Sequence, residues 1–75
     1  MTRTRVKICG ITRIADGVAA AQAGADAIGF VFAPSKREVS ASRATQLAQG
    51  VSRRIPRVAV MLHPTQSQLD EVWSV

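Results

Sequence analysis

A single cysteine in 75 residues excludes an internal disulfide framework, and together with a lone histidine it cannot complete a four-ligand structural zinc site. A reducing compartment fits. Aromatic residues are limited to Phe30, Phe32 and Trp73, few for a protein that stacks single-stranded bases on rings. Acidic residues are also scarce. Five Asp and Glu face ten Lys and Arg, a net charge of +5, which suits an anionic ligand, whether phosphate, carboxylate or nucleic acid. No apolar run approaches the ~18 residues of a membrane helix, and Met1 to Arg5 is followed by too short a stretch before Gly10 and Thr12 for a signal-peptide core. A soluble, cytoplasmic protein with no membrane partner is expected. The glycines form no GxGxxG after a strand, and GxxxxGK[ST] is missing, so neither a dinucleotide fingerprint nor a Walker loop points to a nucleotide.

What is present is globular in composition, 47% hydrophobic and 20% charged. The length is about half of the ~150 residues that serve as a soft prior for one domain, so the chain is one small domain or a piece of a larger one. A two-domain enzyme is excluded. A chain this size buries only ~60% of the surface its unfolded form exposes, so its stability without a partner is marginal.

Residues 5–10 (RVKICG) read as a strand with Val6 and Ile8 on one face and Lys7 and Cys9 on the other. Ile14, Val18, Ala21 and Ala25 then fall at helical spacing, with Asp16 in the first turn and Gly24 as terminator, which predicts a helix over 13–23. Residues 27–32 (AIGFVF) are apolar throughout, as in a strand covered on both faces. Ser40 is a good N-cap, and Val39 with Ala44 stands at staple positions before the stripe Ala44, Leu47, Ala48 and Val51. A third strand over 57–62 (RVAVML) leads to Thr65-x-x-Gln68, a capping box that opens a third helix.

The order is βαβαβα, which predicts an α/β fold with a parallel sheet. Three buried parallel strands cannot cover both faces and both edges alone, whereas a compact (β/α)8 barrel allots roughly 25 residues to each unit. The expectation is that residues 1–75 form the N-terminal, incomplete part of one TIM-barrel domain, supplying about its first three βα units; an open doubly wound sheet is the alternative.

In parallel sheets ligands bind at the carboxyl ends of the strands, so three loops are of interest: 9–12, 33–40 and 63–65. Cys9 ends the first strand, level with Lys7 one pleat below. A cysteine alone is commonly a small hydrophobe. An ammonium near a thiol favours the thiolate, however, and a barrel interior seldom holds a lysine without a task. Gly10 would let a substrate approach the backbone. The second loop brings Ser35, Lys36 and Arg37 to the same rim, either a clamp for an anion or a solvated basic loop. His63 before Pro64 reads as a turn or exposed histidine, with a catalytic role as the alternative. Arg53, Arg54 and Arg57 gather at the opposite end and read as surface charge.

Residues 6–12 (VKICGIT), 24–32 (GADAIGFVF) and 35–37 (SKR) together closely resemble the start of phosphoribosylanthranilate isomerase, a barrel enzyme of tryptophan biosynthesis. The resemblance implies Cys9 as general base, Arg37 on the anthranilate carboxylate of a small phosphosugar substrate, and Lys7 beside the base at the floor of the site. The implied reaction is an Amadori rearrangement needing no cofactor or metal. Glu38 and His63 depart from the residues common at those positions in the family. The family's general acid, an aspartate on a later strand, and its phosphate loops after strands 7 and 8 have no counterpart in residues 1–75. Asp16 and Asp70 lie on expected helices and cannot replace that acid, so the 75 residues alone are expected to be inactive. A second class of function, a small basic module binding anions or nucleic acid, is permitted by the +5 charge but weakened by the scarcity of aromatics.

Overall fold

A computed structural model describes residues 4–73 and 75; Met1 to Arg3, the start of the stretch read as too short for a signal-peptide core, lie outside the described residues. The elements alternate as β1 (Lys7–Ile8), α1 (Ile14–Gln22), β2 (Ala27–Val31), α2 (Ala41–Ala48), β3 (Arg57–Val60) and α3 (Gln66–Trp73). The strands form one parallel sheet in the order β1-β2-β3. Every chain reversal runs through a helix, so the carboxyl ends of all three strands share one edge.

The first strand is shorter than its pattern suggested, because only Lys7 and Ile8 pair in register, with Ala27 and Ile28. Isolated bonds extend its attachment. Val6 donates its N–H to the Asp26 carboxylate at 2.7 Å, and the Val6 carbonyl accepts from Asp26 N at 2.8 Å. Beyond the paired residues, Gly10 N and Ile11 N both donate to the Gly29 carbonyl, at 3.0 and 3.2 Å. The segment is thus tied to β2 from residue 6 to residue 11.

Sheet parity sets the core. Ile28 and Phe30 face the helices and join Ile11, Ala20, Ala44, Leu47, Ala48 and Val51 in one buried cluster. Phe30, Ile28 and Leu47 are the largest fully buried side chains, and each contributes about 1.5–3 kcal/mol by leaving water. On β1 the same parity carries Val6 and Ile8, yet these remain 46% and 40% exposed, since no described element packs outside that strand. The other sheet face bears Lys7, Ala27, Gly29, Val31, Val58 and Val60 by register. No described layer covers it.

Helix α1 corrects the sequence reading of its stripe. Its buried positions are Gly17 and Ala20, while Ile14 is 47% exposed. Small residues face the sheet because α1 approaches the end of α2 closely: a Cβ on Gly17 would stand 3.2 Å from Val51 Cγ2, and one on Gly50 would stand 3.2 Å from Val18 Cγ2 and 3.3 Å from Ile14 Cγ2. Ile14 and Val18 therefore lie over Gly50 and not over the strands. The helix ends as expected at Gly24, whose φ of +91° closes a Schellman turn in which Ala25 N donates to Ala20 O and Gly24 N to Ala21 O.

The other caps follow the sequence closely. Ser40 Oγ accepts from Arg43 N at 3.1 Å. Thr65 and Gln68 form the reciprocal box, with Gln68 N donating to Thr65 Oγ1 at 3.2 Å and Thr65 N to Gln68 Oε1 at 2.8 Å. Helix α3 nonetheless buries none of its residues, and Trp73 is 89% exposed.

Arg57 is a second correction. It does not join Arg53 and Arg54 as surface charge. Its guanidinium turns under α2 and donates to four backbone carbonyls, those of Ser52 and Ile55 through Nη1 and of Ala48 and Val51 through Nη2, at 2.6–3.0 Å. The carbonyls of Ala48 and Ser52 also accept from Val51 N and Ile55 N, so the guanidinium adds a second donor there and supplies one to the carbonyls of Val51 and Ile55, at the end of the helix and its following turn. In a complete barrel that carries these residues, Arg57→Met should lower stability by about 2 kcal/mol in urea unfolding, since charge-assisted bonds to part-buried carbonyls are lost. Arg53→Met should stay within about 0.5 kcal/mol, as for an ordinary exposed position.

Candidate functional site

The site lies where β1 and β2 end. Cys9 follows β1 directly and, continuing the register, stands beside Gly29 of β2. The absence of a side chain at Gly29 makes room for the thiol: a Cβ there would be 2.8 Å from Cys9 Sγ and 3.3 Å from Cys9 Cα. Real Cβ atoms do not come so close to sulfur. The thiol is therefore held over Gly29, on the sheet face opposite the helices, and Cys9 is half-buried.

The chain turns away from β1 through Gly10, whose φ of +80° is left-handed. From the sequence alone this glycine reads as an opening for substrate. In the structure Arg37 occupies that space instead, its Cδ 2.7 Å and its Nη1 3.1 Å from where a Gly10 Cβ would stand. Arg37 reaches the position from the loop after β2. That loop folds back so that Val39 N donates to Val31 O at 2.9 Å and Glu38 forms a parallel bridge with Val31. The Ser35 hydroxyl, read from sequence as part of an anion clamp, accepts from Arg37 N at 3.1 Å and fixes the turn.

Cys9, Gly10, Asp16 and Arg37 stand at one end of a groove of about 470 Å³ that runs between β1 and α1, past Ile8 and Ala19, on the helix side of the sheet. Asp16 lies on α1 as the sequence predicts, and its place in the same groove as Arg37 is not legible from spacing. Its carboxylate takes two bonds from Arg13, Nε to Oδ2 and Nη2 to Oδ1, both at 3.0 Å. The hydrogen bond from Arg13 holds the Asp16 carboxyl below its ordinary value of 3.8; burial opposes this, and the charges of Arg13 and then Arg37 add to the lowering. A carboxylate so stabilised keeps its charge at neutral pH, so Asp16 is unsuited to donate a proton as a general acid.

Lys7 is exposed and lies one pleat below Cys9 on the same strand face. Lys36 is exposed at the tip of the β2–α2 loop. His63 sits past the end of β3, exposed, with φ of +44°. It is not among the residues that line the groove with Cys9 and Arg37. Its left-handed backbone accords with a turn role, since His is among the residues that tolerate this region. Among the described residues no group of His, Cys, Asp and Glu could hold a metal ion, and no helix is long and apolar enough to cross a membrane.

Comparison with known proteins gives this geometry a context. No family model matches the chain. It is 52% identical over 71 residues to the N-(5'-phosphoribosyl)anthranilate isomerase of Bordetella pertussis, an alignment covering 93% of this chain and 33% of that protein. Among solved structures, the phosphoribosyl anthranilate isomerase from Thermotoga maritima superimposes with a TM-score of 0.89 at 38% identity, over 96% of this chain and 36% of that one. A phosphoribosyl anthranilate isomerase in complex with reduced 1-(o-carboxyphenylamino)-1-deoxyribulose 5-phosphate matches with the same TM-score of 0.89, over 96% of this chain and 38% of that one. The chain thus spans about a third of the length of the relatives it matches. In sequence and backbone the chain is similar to about a third of the phosphoribosylanthranilate isomerases, and its parallel βα units match the first part of their (β/α)8 barrel.

Proposed function

We propose that residues 1–75 are the N-terminal part of a single barrel domain and contribute the proton-abstracting side of an isomerase site. The reaction is the Amadori rearrangement of N-(5-phosphoribosyl)anthranilate to the 1-deoxyribulose 5-phosphate aminoketone in tryptophan biosynthesis, with a cytoplasmic location. The observation that carries this reading is the seating of the Cys9 thiol over Gly29 and of the Arg37 side chain against the neighbouring Gly10, both at the carboxyl ends of β1 and β2.

The chemistry needs few groups. An acid protonates the furanose ring oxygen and the ring opens to an iminium. Cys9, as thiolate, takes the proton from sugar C2; the electron pair of that C–H bond becomes the C1=C2 bond, and the iminium nitrogen is neutralised to an enolamine. Tautomerisation then gives the aminoketone. Protons move within the substrate's own framework, so no net oxidant, metal or cofactor is required. Arg37 pairs with the anthranilate carboxylate, for which a guanidinium is geometrically suited. Lys7 supplies positive charge at the floor beside the base. The acid and the phosphate loops come from a part of the barrel beyond these residues, as the lowered Asp16 is unsuited to be that acid.

The alternative of a nucleic-acid module draws little support, because Phe30 is only 1% exposed, which leaves Trp73 as the one largely exposed ring among the described residues, and Arg57 is engaged with backbone carbonyls. Rings available for stacking and a free basic cluster are what such a module requires.

Tests are best made in a chimaera in which residues 1–75 replace the matching third of the Bordetella pertussis isomerase. There Cys9→Ala should lower kcat by at least about 100-fold while the reduced aminoketone analogue still binds, because a base acts on the transition state; a loss of only a few-fold would remove Cys9 from that role. Arg37→Ala should raise KM about tenfold or more, its carboxylate partner being present in the ground state. An unchanged KM would take Arg37 out of the site. The 75-residue polypeptide by itself should show no turnover, and a separate chain carrying strands 4 to 8 should restore it together with a cooperative melt. Turnover by the 75-mer alone, lost in Cys9→Ala, would show that a different acid serves.

A further inference from the structure

We propose that Gly10 is a positioning residue for Arg37: by presenting no side chain, it forms the seat on which the arginine stem rests and so fixes where the guanidinium meets the substrate's carboxylate. The inference rests on the functional reading above and adds to it a residue that touches no reacting atom.

Three observations converge on this seat. The position a Gly10 Cβ would occupy is already filled, with Arg37 Cδ at 2.7 Å, Nη1 at 3.1 Å and Nε at 3.6 Å. Two atoms of the guanidinium group and the last carbon of the stem thus lie along the glycine. The Arg37 backbone cannot retreat easily, because its N–H is held by Ser35 Oγ at 3.1 Å and the residue after next, Val39, is bonded to Val31 O at 2.9 Å. Finally, Asp16 in the same groove carries a negative charge whose carboxyl is lowered in part by Arg37. A side chain at position 10 must therefore be accommodated by the arginine stem. Arg37 is exposed, so it has solvent to swing into, and the guanidinium would leave the groove.

Backbone strain is separable from this effect. Gly24 has nearly the same left-handed conformation, with φ of +91° against +80° at Gly10, but nothing lies within 4 Å of where its Cβ would stand. Gly24→Ala is therefore a control that carries the conformational strain without displacing any neighbour.

The experiment uses the chimaera described above and reads both KM and the calorimetric affinity for reduced 1-(o-carboxyphenylamino)-1-deoxyribulose 5-phosphate. Gly10→Ala should weaken both by about tenfold or more, as expected when a binding group is misplaced by an ångström. Gly24→Ala should leave both within about twofold, with a comparable shift in urea midpoint. In an Arg37→Ala background the Gly10→Ala change should add less than about twofold, since the two then act through one interaction. Gly10→Asn tolerates the left-handed region better and still carries the Cβ, so it should repeat the loss even if the alanine variant folds poorly. The inference is overturned if Gly10→Ala and Gly24→Ala behave alike, or if the Gly10 effect persists in full without Arg37. Should Arg37→Ala itself leave KM and analogue affinity unchanged, or the parent chimaera be inactive, the functional reading fails and this inference with it.

Discussion

The close approach of the β1 segment to β2 at Gly29 is the contact on which the site depends. The Gly29 carbonyl takes two N–H donors, from Gly10 and Ile11, while the missing Cβ leaves space for Cys9 Sγ. One residue thereby joins the strands, turns the chain toward α1 and places the thiol. A Cβ at 29 would collide with the Cys9 backbone as well as with its sulfur, and backbone cannot yield as a side-chain tip can. Ile11, carried inward by the same turn, is 3% exposed in the core. The hydrophobic cluster and the rim chemistry consequently share a boundary of three residues.

The sheet divides the molecule into two unlike faces. On the helix side, close packing around Phe30, Ile28 and Leu47 accounts for the cohesion of the described residues. On the other side, valines and small residues surround Cys9 and Lys7 without an opposing layer. This division agrees with the inside of a barrel, where inward side chains from several strands fill the interior together. It also explains why α3, at the outer end of the series, buries none of its residues: a helix beside a terminal strand lacks the next unit on which to pack.

Much of this was legible in the sequence where the cause is local. The Ser40 cap, the Thr65–Gln68 box and the Gly24 turn each require residues a few positions apart, and each forms. Alternation in residues 5–10 placed Cys9 and Lys7 on one face, in agreement with the register of β1 on β2. What escaped depends on distant partners. Ile14 is apolar at helical spacing, yet the close approach of α1 to Gly50 turns it away from the sheet. Arg57 looked like one charge in a basic group, because nothing in a one-dimensional pattern reveals four carbonyls beneath a helix. Gly10 and Arg37 are 27 positions apart, and their contact follows only from the parallel pairing of β1 with β2 and the fold-back of the loop.

Arg57 has a consequence for how the third strand finds its place. It pairs with Ile28 at the first position of the β2–β3 register while its guanidinium grips the end of α2. Sliding β3 by one residue would send that side chain to the opposite face, stranding a cation among the inward valines and stripping the carbonyls of their donor. The neighbouring Val58-Ala59-Val60 run is nearly featureless and would by itself accept several offsets. The arginine therefore serves as a vernier mark for the crossover, rejecting misaligned pairings by electrostatics where hydrophobic contact alone discriminates poorly.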